Sequence, residues 1–186
     1  RRTMAWQIDS SHSSIDFGVR HMMISKVRGR FSNFTGTIDL NVDKPELTTV
    51  TVQLDAASID TSDEKRDEHL RSADFLNVAQ YPQLVFNGTK VERTGDSNAK
   101  LYGDLTIRGV TRPVVLETTY IGNSQSPWGT QVYGFEAATK ISRKQWGLEW
   151  NVALETGGVL VSDEIAITIQ LELVRVPETQ PVAAAA

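Results

Sequence analysis

Residues 164–173 read Glu-Ile-Ala-Ile-Thr-Ile-Gln-Leu-Glu-Leu, so that Ile165, Ile167, Ile169, Leu171 and Leu173 alternate with Glu164, Ala166, Thr168, Gln170 and Glu172. A strict two-residue period puts successive side chains on opposite faces of an extended strand, one face apolar and one wet. The same period recurs in Ile15, Phe17 and Val19, in Val50, Val52 and Leu54, and in Leu101, Gly103, Leu105 and Ile107. Further strands are predicted over residues 6–9, 30–42, 84–92, 113–121 and 132–142, with a slip of phase at Ser32 and Asn33 that predicts a β-bulge. Turn residues stand at the joints: Asp43-Lys44-Pro45, Thr94-Gly95-Asp96, Arg108-Gly109, and the stretch 122–129. About eight such strands, joined as an antiparallel meander, can close into a barrel that leaves no free edge.

One helix interrupts the strands, predicted over residues 62–73. Thr61 and Glu64 have the spacing of a capping box, Asp63 and Glu64 suit the positive helix start, and Arg71 suits its end. Leu70 leads into Phe75 and Leu76, so the C-terminal end of the helix is expected to dock across one barrel opening, anchored by the Tyr81-Pro82 turn. The stretch 143–162 is long for a loop and carries Trp146, Trp150 and Gly157-Gly158, which predicts an ordered flap over a barrel mouth.

The chain has 186 residues, 40% hydrophobic and 23% charged, an ordinary globular balance that supports one domain with its own core. That domain is expected over residues 5–176, with 1–4 an N-terminal extension and 177–186 a disordered tail. A net charge of −4 argues against a nucleic-acid partner, because neutralising phosphates takes a basic face. With no cysteine, disulfides, thiolate catalysis and cysteine-based metal sites are excluded. No stretch approaches the ~20 apolar residues of a membrane helix, so stable membrane insertion is not expected. A cytoplasmic location is expected if Met4 is the native start, and a periplasmic or secreted one if a leader has been removed. There is no G-x-S-x-G elbow, phosphate-binding loop or dinucleotide fingerprint.

Several motifs together resemble the YceI-like family. They are Asp9-Ser-Ser-His12-Ser13-Ser-Ile15, Phe17-Gly-Val-Arg-His21, Val27-Arg-Gly29-Arg-Phe31, Arg66-Asp67-Glu-His69-Leu70-Arg-Ser72-Ala-Asp74-Phe75, Tyr81-Pro82, Gly103-Asp-Leu-Thr106-Ile-Arg108-Gly109-Val-Thr111-Arg112-Pro113, Arg143-Lys-Gln-Trp146-Gly147 and Glu155-Thr-Gly157-Gly158. They run in order from Trp6 to Val174, with Trp146 standing where the family often has Phe. The resemblance implies an all-β, eight-stranded, antiparallel lipocalin-like β-barrel with one short helix. It also implies that the barrel binds polyprenyl chains or related amphiphiles such as isoprenoid quinones and fatty amides, that the partner is a small-molecule lipid, and that the protein is no enzyme. Homodimerisation is a further expectation from the resemblance alone. No cofactor is expected beyond a bound isoprenoid or other long-chain lipid.

A lipid cavity needs inward apolar side chains that leave space unfilled, and polar groups at the mouth. Candidates for its wall are Phe17, Val19, Phe34, Leu54, Phe75, Phe86, Leu101, Leu105, Ile107, Phe135, Ile141, Ile165, Ile167 and Ile169, with Trp146 and Trp150 on the flap; Gly103 and Ala137 are small enough to leave room. The plainer reading is that these residues fill an ordinary core. Burying roughly ten methylenes at ~0.8 kcal/mol each offers ~8 kcal/mol, part of it lost to association entropy. His21, Arg66, His69 and Asp74 are candidates for a polar head group, although Arg66, His69 and Asp74 can equally pin the helix to the strands. Between Asp16 and Asp39 there is no acidic residue, while Arg20, Lys26, Arg28 and Arg30 all occur; this run suits a phosphate or pyrophosphate, or is simply a solvated face. Met22, Met23 and Ile24 in the same run are adaptable apolar groups for a cavity mouth. Three histidines without metal-ligand spacing give no metal site. The alternatives to a lipid carrier or reservoir are an enzyme acting on an amphiphile, with His69 or Asp74 poised, and a stress-related interaction module whose barrel is filled by side chains.

Overall fold

The structure is a computed structural model that describes residues 4–177. The strands are β1 (Met4–Ile8), β2 (Ser14–His21), β3 (Ser25–Phe31), β4 (Phe34–Asp39), β5 (Thr49–Asp55) and β6 (Ile59–Asp60), followed by helix α1 (Glu64–Arg71). Then come β7 (Gln83–Arg93), β8 (Asn98–Ile107), β9 (Val110–Gln125), β10 (Gln131–Ser142) and β11 (Val161–Pro177). All join one sheet in the order β4-β5-β7-β8-β9-β10-β11-β2-β3-β6, with β1 on β11, and every pairing is antiparallel. Met4 pairs with Pro177, so the sheet reaches one residue past each expected domain limit; the rest of the expected extension and tail lies outside the described residues.

The expected closed barrel of eight strands is corrected to a curled half-barrel of eleven. The added strands have local causes: one expected course, 30–42, is broken in two, and a short β6 that the sequence did not signal follows β5, while the separately expected 6–9 and 15–19 are β1 and β2. β1 and β2 both lie against β11, separated by a turn in which the Asp9 carboxylate accepts from the Ser11 N–H. The long strand expected over 30–42 begins earlier, at Ser25, and breaks at Ser32 and Asn33 into β3 and β4, where the sequence shows its phase slip. β5 and β6 are split by a 3₁₀ turn, Ala56–Ser58, capped by Asp55 accepting from Ala57 N–H. Across these breaks β4 pairs with β5 while β3 pairs with β6, so the ladder runs from β4 round to β6 and is not one uninterrupted ring. Such breaks add bend and twist to a sheet that already twists, which curls it tightly.

One end of the curl is packed solid. α1 is shorter than expected, and its cap is Asp63, whose carboxylate accepts from Arg66 N–H at 3.0 Å. Thr61 cannot cap because its N–H and hydroxyl both donate to the buried Asp67 carboxylate, at 2.9 and 2.5 Å. Behind the helix, Phe75 and Leu76 are buried. The stretch after β10 also corrects its expectation as a flap. It starts with a 3₁₀ turn, Arg143–Trp146, that drives Trp146 into the core at 1% exposure, where Nε1 donates to the Leu105 carbonyl at 2.9 Å. Arg143 is buried beside it and donates to the carbonyls of Leu148, Trp150, Val161 and Ser162. Four hydrogen bonds to backbone carbonyls from one planar fork make this side chain a clamp on the loop.

Candidate functional site

The apolar faces of the strands point into the curl, but they do not fill it. A cavity of about 540 Å³ remains, within the ~300–1,000 Å³ usual for small-molecule sites. Its wall follows the two-residue period: Ile15, Phe17 and Val19 on β2, Val50, Val52 and Leu54 on β5, Tyr133, Phe135, Ala137, Thr139 and Ile141 on β10, and Ile165, Ile167 and Ile169 on β11. On β7 the parity changes, from Leu84 and Phe86 to Val91 and Arg93, because the register with β8 shifts between Gly88 and Lys90. Ile15, Phe17, Leu101, Leu105, Ile141 and Ile169 pack against the core yet are only half-buried. That is how inward apolar side chains look when they face empty space rather than neighbours. Gly103 is needed for the wall's shape: a Cβ there would stand 2.3 Å from the Phe86 ring.

The two ends differ chemically. At the packed end the lining is Leu70, Phe75, Leu76 and Leu148, with Arg143 already committed to backbone carbonyls. At the opposite end it includes Asn41, Thr48, Arg93, Asp96, Ser97, Asn98, Tyr120 and Tyr133, several of them exposed. From Leu84 to Arg93 the wall spans roughly 30 Å of strand at about 3.3 Å per residue. The site is therefore long, apolar along its length and polar at one rim.

Among the candidates for the cavity wall, Phe17, Val19, Phe34, Leu54, Phe75, Phe86, Leu101, Leu105, Ile107, Phe135, Ile141, Ile165, Ile167 and Ile169 all line it. Met22, Trp146 and Trp150 do not, and those expectations are corrected. Met22 lies in an exposed turn, Trp146 is buried in the packed end, and Trp150 packs on His69 and Phe75 with ring centroids 4.5 and 5.4 Å away. The head-group candidates are likewise displaced: His21, Arg66, His69 and Asp74 are all absent from the lining. Arg66 donates from Nε and Nη2 to the hydroxyl and carbonyl of Thr61, and His69 Nε2 sits 2.8 Å from Asp74 Oδ2. These groups pin α1 and the plug, the structural option already open in the sequence. The polar rim was missed because its residues come from three separate turns and strand ends; Thr94-Gly95-Asp96 signalled only a turn.

A second grouping was also invisible in one dimension. Asp9, His12 and Glu172 bring one ligand atom each within 4.8 Å of one another, because the turn after β1 folds against β11. Hydrogen bonds from Ser11 and then His12 hold the Asp9 carboxyl down at about 2, and Asp9 and then Glu172 raise the exposed His12. Among the described residues, no helix is long and apolar enough to cross a membrane.

Residues 6–173 match the YceI-like domain. Protein YceI of Escherichia coli is 39% identical over 164 residues, covering 88% of this chain and 82% of the relative. The crystal structure of BcnA from Burkholderia cenocepacia superimposes with a TM-score of 0.75 at 22% identity, covering 89% of this chain and 98% of that one. A polyisoprenoid binding domain from Saccharophagus degradans, implicated in plant cell wall breakdown, superimposes with a TM-score of 0.65 at 14% identity, covering 92% and 98% of the two chains. Both structural likenesses are likenesses of fold.

Proposed function

This chain belongs to the YceI-like domain family, and from that premise we propose that it binds, and stores or carries, an isoprenoid-type or related long-chain amphiphile in its cavity. The observation that carries this reading is the cavity's gradient: apolar from Phe75 to Val91, then polar at Arg93, Asn98, Tyr120 and Tyr133. An amphiphile matches that gradient tail-first, its chain displacing water from apolar walls and its polar end remaining at the rim, where hydrogen-bonding groups are already wet. A family fold shared with a domain described as polyisoprenoid-binding supports the choice of lipid class. The polar end is assigned to the rim, not to His69 and Arg66, because those groups are engaged at the packed end outside the cavity wall.

An enzyme acting on an amphiphile needs a poised group at the cavity, and His69 and Asp74 instead face each other beside Phe75 and Trp150. An interaction module filled by side chains does not account for the unfilled 540 Å³.

The test is native mass spectrometry of gently purified protein, followed by organic extraction and addition of polyprenyl lipid, on the wild type and on Leu105→Asp and Phe135→Asp. Each carboxylate places a charge on the apolar wall, so uptake is expected to fall at least tenfold while circular dichroism stays native. Unchanged uptake by folded variants, or a wild type that neither retains nor takes up lipid, overturns the reading.

A further inference from the structure

The β2–β3 turn carries an apolar cluster that neither the core nor the cavity uses. Met22, Met23 and Ile24 are 44%, 53% and 83% exposed. Met22 and Met23 also hold φ of 52° and 65°, a left-handed conformation that disfavours residues with a side chain unless they are Asn or Asp. The turn is tied to the neighbouring loop: Met22 N–H donates to the Leu160 carbonyl, and Met23 lies against Gly158. On that loop Val152 and Val159 are exposed as well. The exposed tip thus stands at the packed end, beside this loop.

Immediately behind the tip stand cations. Arg20 is directly opposite Lys26 across the β2–β3 ladder, and Arg28 is opposite Gly18, over which the stem of Lys26 lies. The parity that turns Phe17 and Val19 into the cavity turns these three outward. Like charges facing each other across a ladder destabilise it. Among the described residues none of the three has a carboxylate within 4.0 Å, whereas Arg30 pairs with Asp60. The turn's contacts with the neighbouring loop thus leave its apolar area exposed, and its cations without a carboxylate partner among the described residues.

We propose that the tip Met22–Ile24 docks on an anionic lipid bilayer, the apolar residues entering the interface and Arg20, Lys26 and Arg28 meeting the phosphates above it. Methionines adapt to irregular apolar surroundings, and cations close behind an apolar tip fit an anionic interface, where depth separates acyl chain from phosphate. Docking stands whether or not the cavity is loaded, so its test is separate from that of the cavity.

Flotation with vesicles of phosphatidylcholine alone, and of phosphatidylcholine mixed with phosphatidylglycerol, reads the association. The wild type is expected to float with the anionic vesicles only, and less so as salt rises. Met22→Asn and Met23→Asn suit the left-handed turn and, with Ile24→Ser, are expected to abolish flotation without unfolding. Gln at Arg20, Lys26 or Arg28 is expected to weaken it about fivefold per cation removed. Because the chain has no cysteine, Ile24→Cys takes a single environment-sensitive dye, expected to shift to the blue on anionic vesicles. The same dye at Ser126→Cys, in the β9–β10 turn at the other end, is expected to stay unchanged. The proposal is overturned if the wild type does not float, if flotation survives the tip variants, if the Ser126 label shifts in place of the Ile24 label, or if sedimentation shows a dimer that the tip variants dissolve.

Discussion

Asp9 and His12 stand three residues apart in the turn between β1 and β2, with the His12 Nδ1 2.9 Å from Asp9 Oδ2 and 3.7 Å from Glu172 Oε1. The signs of their shifts are opposite. Asp9 is held below its ordinary 3.8, so its contribution is present above that pH and fades as pH falls toward about 2. His12 is raised above 6.5, so its contribution is complete below 6.5 and fades as pH rises through the raised value. The turn is therefore tightest between about pH 4 and 6.5. A proton NMR titration is expected to put the His12 midpoint above 6.5 in the wild type and closer to it in Asp9→Asn; an unmoved midpoint contradicts the pairing. Nothing in the sequence joined Glu172 to this pair, since a contact across some 160 residues is set by the register of β1 on β11.

At the scale of elements, α1 shows how buried polar groups override local pattern. The Thr61 and Glu64 spacing is that of a capping box, yet Thr61 is 4% exposed and its donors are taken by Asp67, also 4% exposed, while Arg66 closes the group from outside. Asp67→Ala leaves two buried donors without an acceptor, so a loss of about 2–3 kcal/mol is expected in urea unfolding. Asp67→Asn, which keeps one acceptor, is expected to cost less; equal and small effects from both would show that the buried pair does not hold the helix. The strand breaks teach a related lesson. The slip at Ser32 and Asn33 and the gap between the strands at 6–9 and 15–19 were legible because phase is local, but the turn at Ala56–Ser58 and the short β6 after it were not, since that turn depends on the Asp55 carboxylate accepting from its own backbone.

On the scale of the whole molecule, an unfilled cavity leaves stability for a ligand to supply. A lipid at a hundred times its Kd adds about 2.7 kcal/mol, expected as a rise of roughly 5–10 °C in Tm. Ala137→Phe, on the wall of the cavity, is expected to reduce both lipid uptake and that rise without lowering the Tm of the empty protein, as differential scanning calorimetry can check; a lowered Tm would mean that the space beside Ala137 is already filled. Sequence alone determined the all-β class, the inward face of nearly every strand and hence most of the cavity wall, because side-chain parity along a strand is fixed within a few residues. The same period cannot tell a filled core from a hollow one, or say which end is plugged. Tertiary structure decided both: Trp146 and Arg143 go inward to seal one end, and Arg93, Asn98, Tyr120 and Tyr133 gather at the other. Volume and rim are properties of how strands curl round one another, and no single stretch of chain contains them.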